Sequence, residues 1–173
     1  MMRIFLAKLN KRIGEYLQQG EYDLFRRKYE IAQSFKFNGS GIKFYGKGVL
    51  KIFNNSYIGS YSTIQVAPGT KVIIGQGCRI SHGVRIYTSS TSPDTDFSKK
   101  ELLLYKKGDV IIGDYCWIGA NVFINPGTTV GENSVVGSNS VVTKNIPPFT
   151  IYGGVPAKLI RKKMGSELLN PDD

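Results

Sequence analysis

A single histidine, His82, and two cysteines, Cys78 and Cys116, are the side chains of this sequence best suited to proton transfer or covalent chemistry. An ordinary imidazole, with a pKa of about 6.5, can take a proton from a hydroxyl or an amine near neutral pH. One histidine cannot build a three-histidine zinc site, so no metal site is expected. Two cysteines do not make a disulfide framework. A second polar concentration spans residues 89–96 and holds Ser92, Asp94 and Asp96. A carboxylate there could orient an imidazole or hold a hydroxyl-rich acceptor. Lysine and arginine number 23 against 13 aspartates and glutamates, a net charge of +10. Such a surface attracts anions: phosphorylated cofactors, nucleotide-linked sugars, acidic glycans or an anionic membrane. No recognition motif for nucleic acid accompanies the charge, and none is expected as a partner.

The elements that must position these groups are written in a six-residue period. Between residues 112 and 143 an aliphatic residue recurs at Ile112, Ile118, Ile124, Val130, Val136 and Val142, and glycine follows four of the six. Six residues make one short strand and one tight turn, and three such units form one coil of a parallel β-helix. Sandwich strands would instead repeat at about 8–12 residues. Ile52, Ile58 and Ile64 keep the same rhythm, as do Ile74, Ile80 and Ile86. Four residues are added at Val66-Ala67-Pro68-Gly69, and residues 88–108 must loop out before Ile112 resumes the phase. Long excursions from a solenoid are functional or disordered. Removing both insertions leaves three columns: Ile52, Ile74, Ile112, Val130; Ile58, Ile80, Ile118, Val136; and Ile64, Ile86, Ile124, Val142. Both insertions follow third-column residues and should leave by one corner. Cys78 and Cys116 should stack inside as small buried hydrophobes. Ser60, His82, Ala120 and Ser138 each lie two places after a second-column residue and should form one outward column.

The flanks differ in character. Residues 1–38 read as a basic helical cap, with Met2, Phe5, Leu6, Leu9, Ile13, Tyr16 and Leu17 at helical spacing. Gly20 is expected to interrupt it, and a second helical piece to run from Tyr22 to Phe35 with Arg26, Arg27 and Lys28. Two readings stand: the stripe covers the first coil or a neighbouring subunit, or residues 1–36 lie on a membrane surface. Residues 39–148 form the β-helix, ended by Ile146-Pro147-Pro148 because proline cannot donate to a ladder. Residues 149–173 form a C-terminal cap with a short helix to about Met164 and a frayed tail from 165. No apolar run is long enough to span a bilayer and no signal peptide is visible, so a cytoplasmic location is expected.

The segment VIIGDYCWIGANVFINPGTTVGENSVVGSNSVVTKNIPPFTIYGGVPAKLIRK resembles the C-terminal half of the hexapeptide-repeat acyltransferases. The resemblance covers about residues 58–162 and is nearest to sugar O- and N-acetyltransferases of the galactoside, maltose and polysaccharide-cluster type. It implies a mainly β chain folded as a left-handed parallel β-helix. It also implies a homotrimer, with active sites between subunits, and acetyl-coenzyme A as cosubstrate. Matched residue by residue, it places cofactor contacts at Ala120, Ser138, Thr143 and Lys144. Lys158 and Arg161 take the places that meet the adenosine 3′-phosphate. Galactoside-type members carry a catalytic histidine in the long loop, where this chain has Ser92. A serine is no base near neutral pH, so the family's loop base cannot be carried over.

With the cofactor running past Ser138 and Ala120, its thioester end points to His82. The expected function is acetyl transfer to a sugar hydroxyl or amine in surface-polysaccharide or glycan synthesis, with His82 as general base and a turn N–H near Ala120 stabilising the oxyanion. Asp94 or Asp96 would orient the imidazole or hold the acceptor, with Ser92 and Asn125 adding hydrogen bonds. The alternative is a non-catalytic β-helix that scaffolds glycan enzymes or binds a sugar.

Overall fold

A computed structural model describes residues 2–99 and 103–164. Three parallel sheets wrap around one apolar interior. The first sheet stacks Glu30–Ile31, Val49–Ile52, Lys71–Ile74, Val110–Ile112 and Thr129–Val130. The second stacks Lys36–Asn38, Tyr57–Gly59, Arg79–Ile80, Trp117–Ile118, Val135–Val136 and Thr150–Gly153. The third stacks Lys43–Gly46, Thr63–Val66, Arg85–Tyr87, Phe123–Ile124 and Val141–Val142. The chain visits the sheets in rotation, which makes a parallel β-helix of about five coils.

Register follows the periodicity. Ile52 pairs with Ile74, Ile74 with Ile112 and Ile112 with Val130. The second column pairs Ile58, Ile80, Ile118 and Val136 in order, and the third Ile64, Ile86, Ile124 and Val142. Nearly all of these side chains are fully buried. The three columns are the spine of the core, each residue stacked on its counterpart in the next coil, and Ile42, Leu50, Val72, Val84, Val110 and Val122 fill the interior beside them. Cys78 and Cys116 sit inside it, each thiol turned to a backbone carbonyl, Gly113 and Gly131.

The flanks depart from expectation in three ways. The N-terminal segment is one helix, α1 (Met2–Lys28), which runs through Gly20 without a break. An exposed helical glycine costs only about 1 kcal/mol, too little to end a helix anchored further on. The second helical piece stops at Lys28, and the first coil opens at Glu30, inside the stretch read as cap. There Ile31, Phe37 and Phe44 sit beneath Ile52, Ile58 and Ile64, with phenylalanines in place of aliphatics. The excursion at 88–108 is a built arm in which Ser89–Thr91 pairs antiparallel with Tyr105–Lys107. The C-terminal helix is absent: Lys158–Lys162 is a strand, antiparallel to Thr150–Gly153 at the edge of the second sheet. The free edge of that strand offers hydrogen bonds that override the helix preference of Ala-Lys-Leu. Residues 100–102, and the tail from 165 that was read as frayed, lie outside the described residues.

Candidate functional site

The corner between the second and third sheets carries the outward column. The N–H of Gly83 donates to the Ser60 carbonyl at 2.8 Å, Asn121 to His82 at 3.0 Å and Asn139 to Ala120 at 2.8 Å. These bonds stack Ser60, His82, Ala120 and Ser138 on successive coils. Each turn is tight because its second residue is left-handed: Tyr61, Gly83, Asn121 and Asn139 have φ between 58° and 69°. At two of the four turns the preceding glycine is demanded by the coil beside it. A Cβ on Gly59 would stand 2.7 Å from the His82 nitrogen, and one on Gly119 would stand 2.5 Å from the Ser138 nitrogen. The result is a narrow, exposed edge with small side chains at Ala120 and Ser138 and an exposed imidazole at His82. Among the described residues, neither the Ala120 nor the Ser138 N–H has a hydrogen-bond partner. Both are turn donors of the kind that can meet an amide or an oxyanion. At the C-terminal end of the edge, Gly154 accepts from Val141, and Lys158 follows on the edge strand. Arg161 lies further back along that strand, opposite Ile151.

The remaining residues singled out from the sequence gather at another corner, between the third and first sheets. The arm is rooted there: the Ala67 N–H donates to Thr88 Oγ1 at 2.8 Å, and the Gly108 N–H to the Thr88 carbonyl at 3.0 Å. Both insertions therefore leave by one corner. Asn125 lies one coil on, with its carbonyl accepting from Thr128 Oγ1. Thr143 and Lys144 turn the same corner a coil later. Ser92 accepts from the Asp94 N–H within the arm, and Asp96 accepts from both the N–H and the hydroxyl of Ser98. Those bonds, with Lys99 beside them, hold the Asp96 carboxyl below its usual range. One strand of the third sheet, Arg85–Tyr87, roughly 10 Å long at 3.3 Å per residue, lies between the arm's root and the His82 turn within a chain. The structure thus brings His82, Ala120, Ser138 and Lys158 onto one edge, and Ser92, Asp94, Asp96, Asn125, Thr143 and Lys144 around another. Among the described residues, no carboxylate hydrogen-bonds the imidazole.

The outer faces hold residues that the column argument passed over. Tyr45, Gln65, Tyr87 and Phe123 point outward from the third sheet between the two corners, with Tyr87 edge-on to Phe123 at 5.2 Å. Burial and the neighbouring Tyr87 push the Tyr45 phenol up. The second sheet carries Tyr57, Arg79 and Trp117 in register, in a groove of about 520 Å³. The signal was present: Tyr57, Arg79, Trp117 and Phe123 each stand immediately before a column residue. The thiols offer no nucleophile. Each is fully buried, and the Cys78 side chain together with burial holds the Cys116 thiol far above its usual range.

Comparison with known proteins places this geometry. Residues 109–144 match the family model of the bacterial transferase hexapeptide, six repeats. A Schizosaccharomyces pombe protein assigned as an acetyltransferase is 30% identical over 166 residues, which is 91% of this chain and 78% of that protein. A hexapeptide-repeat acetyltransferase of Vibrio cholerae, solved with acetyl-coenzyme A, is 28% identical with a TM-score of 0.58 over 90% of this chain and 84% of its own. A maltose O-acetyltransferase of Clostridium difficile is 29% identical with a TM-score of 0.56, covering 93% and 86%. Of four other curated relatives, named for macrolides, chloramphenicol or galactosides, the chain spans between 26% and 64% of the length. With the coil register and the stacked corner, these matches settle the kinship: the chain belongs to the hexapeptide-repeat acetyltransferase family.

Proposed function

We propose that this protein is an acetyl-coenzyme A-dependent acetyltransferase acting on a hydroxyl, or an amine, of a sugar in cytoplasmic glycan or surface-polysaccharide synthesis. The observation that carries the reading is the exposed column in which His82, Ala120 and Ser138 follow one another along a single edge. The residues fit an elongated, amide-bearing thiol ester. Two small side chains leave the edge open, unpartnered turn N–H groups can meet its amides, and cationic Lys158 follows at the far end, where phosphates would lie.

Bound acetyl-coenzyme A would supply the acetyl group as an activated thioester. The chain's own residues do the rest. His82 accepts the proton of the acceptor hydroxyl as that oxygen attacks, and later hands it to the departing thiolate. The Ala120 N–H, one coil on, donates to the oxygen that gains charge. Arm residues Ser92, Asp94 and Asp96, with Asn125, Thr143 and Lys144, stand at a separate corner. They join the site when one chain's arm corner meets another chain's His82 corner, as in a threefold assembly with sites between subunits. Asp94 or Asp96 of that neighbour would then orient the imidazole.

A non-catalytic reading has two observations in its favour. Ser92 replaces the loop histidine, and no carboxylate of the same chain's described residues holds His82. The test is thiol release from acetyl-coenzyme A over a panel of sugars, nucleotide sugars and short glycans. Turnover with at least one acceptor supports the enzyme, and Lys158→Ala should raise the KM for acetyl-coenzyme A several-fold. Tight coenzyme A binding with no turnover on any acceptor favours the scaffold.

A further inference from the structure

Helix α1 wears its apolar stripe on the wrong side for a cap. At 3.6 residues per turn, Lys11, Gly14, Glu15, Gln18 and Tyr22 fall on one face. That face turns toward the β-helix, where it lines a cleft of about 710 Å³ against Gly39, Ser40 and Ser60. Anchoring comes from the second half of the helix. Tyr22 stacks on Phe37 at 4.2 Å and donates to the Gly39 carbonyl, Phe25 stacks on Phe44 at 5.1 Å, and Gln18 accepts from the Gly41 N–H. Phe5, Leu6, Leu9, Ile13, Tyr16 and Leu17 fall on the opposite face, and each is between 44% and 81% exposed. The first coil is already closed by Tyr22, Phe25, Tyr29 and Phe35, so the stripe is not needed there.

We infer that the first four turns of α1 lie in the headgroup region of an anionic membrane and tether the β-helix to it. The stripe is about 20 Å long, enough to embed along a bilayer surface, and the helix is not long and apolar enough to cross one. The charge pattern selects this occupant over a second copy. Arg3, Lys8 and Arg12, the cations beside the stripe, precede the first acidic residue, Glu15. Two such stripes packed together would bring these cations against one another, whereas anionic headgroups neutralise them. Arg3, Lys8 and Arg12 flank the stripe, at the level where headgroup phosphates would lie. The inference stands apart from the transfer reaction: it rests on α1 alone.

The test is flotation of the full chain with vesicles of phosphatidylcholine alone or mixed equally with phosphatidylglycerol. Wild type should float with the mixed vesicles only, and be released by high salt. Leu9→Glu/Ile13→Glu and Lys8→Ser/Arg12→Ser should each lower the bound fraction by about tenfold or more. Both pairs sit on exposed positions, so melting temperatures should stay within about 2 °C of wild type. Failure of wild type to float overturns the inference. So does flotation that both double variants leave unchanged. A lower molar mass in solution for Leu9→Glu/Ile13→Glu, without vesicle binding by wild type, hands the stripe to a second copy.

Discussion

Replacing Gly119 by alanine adds one methyl group where two coils touch. That carbon would stand 2.5 Å from the Ser138 nitrogen and 2.9 Å from both the Gly137 carbonyl carbon and the Ser138 Cα. All three atoms are backbone, so no side chain can swing aside. The coil spacing is fixed on either side of the contact, where Gly119 donates to Val136 and Asn139 donates to Ala120, both at 2.8 Å. Relief requires those bonds to lengthen. Overpacking of this kind costs about 1–3 kcal/mol, and a rigid backbone neighbour puts Gly119→Ala at the upper end. For a chain of this size each 1 kcal/mol moves the melting temperature by about 2–4 °C, so a fall of about 5–10 °C is expected. The assay is thermal unfolding followed by circular dichroism, at one protein concentration because association adds to apparent stability. Gly20→Ala is the matched control. Nothing lies within 4 Å of its added carbon, and the residue is helical, so it should raise the melting temperature by about 2 °C. A melting temperature for Gly119→Ala within about 2 °C of wild type would refute the steric reasoning.

Two further outcomes follow from the thiols and the arm. Cys78 and Cys116, both fully buried, should react with an aromatic disulfide reagent about 10³-fold or more slowly in the folded protein than after denaturation. Rapid labelling of the native chain would contradict their place in the core. Asp96 is held below its usual pKa chiefly by Ser98, so its turn is intact above the ordinary aspartate range near pH 4 and is lost as pH falls through the lowered value. The Ser98 amide resonance should therefore shift in strong acid, and an unchanged position down to about pH 2 would argue against the Asp96–Ser98 bond.

The β-helix was legible because its core columns repeat a β-branched aliphatic residue at one spacing, so register could be counted before any contact was seen. Where the interior is filled by Phe37 and Phe44 at irregular spacing, the count failed, and the first coil passed for a cap. The residues that cap the other end, Lys158–Lys162, have helix-forming side chains, yet they pair with a free strand edge that local preference does not reveal. Residues 88–108 were legible as an excursion, and the antiparallel pairing of Ser89–Thr91 with Tyr105–Lys107 was not, because neither strand carries an apolar alternation. The column of His82, Ala120 and Ser138 followed from equal offsets within equal repeats, and the structure stacks it. The proposed meeting of that edge with Asp94 and Asp96 is one between chains, and contacts between chains have no period to read.

The central claim is that His82 is the general base. Its most direct test compares wild type and His82→Ala in acetyl-coenzyme A turnover against an accepting sugar, by thiol release. Loss of about 10²–10⁴-fold in kcat, with the KM for acetyl-coenzyme A within a few-fold of wild type, is the expected result. Equal kcat in the two proteins would contradict it and move the base to the arm.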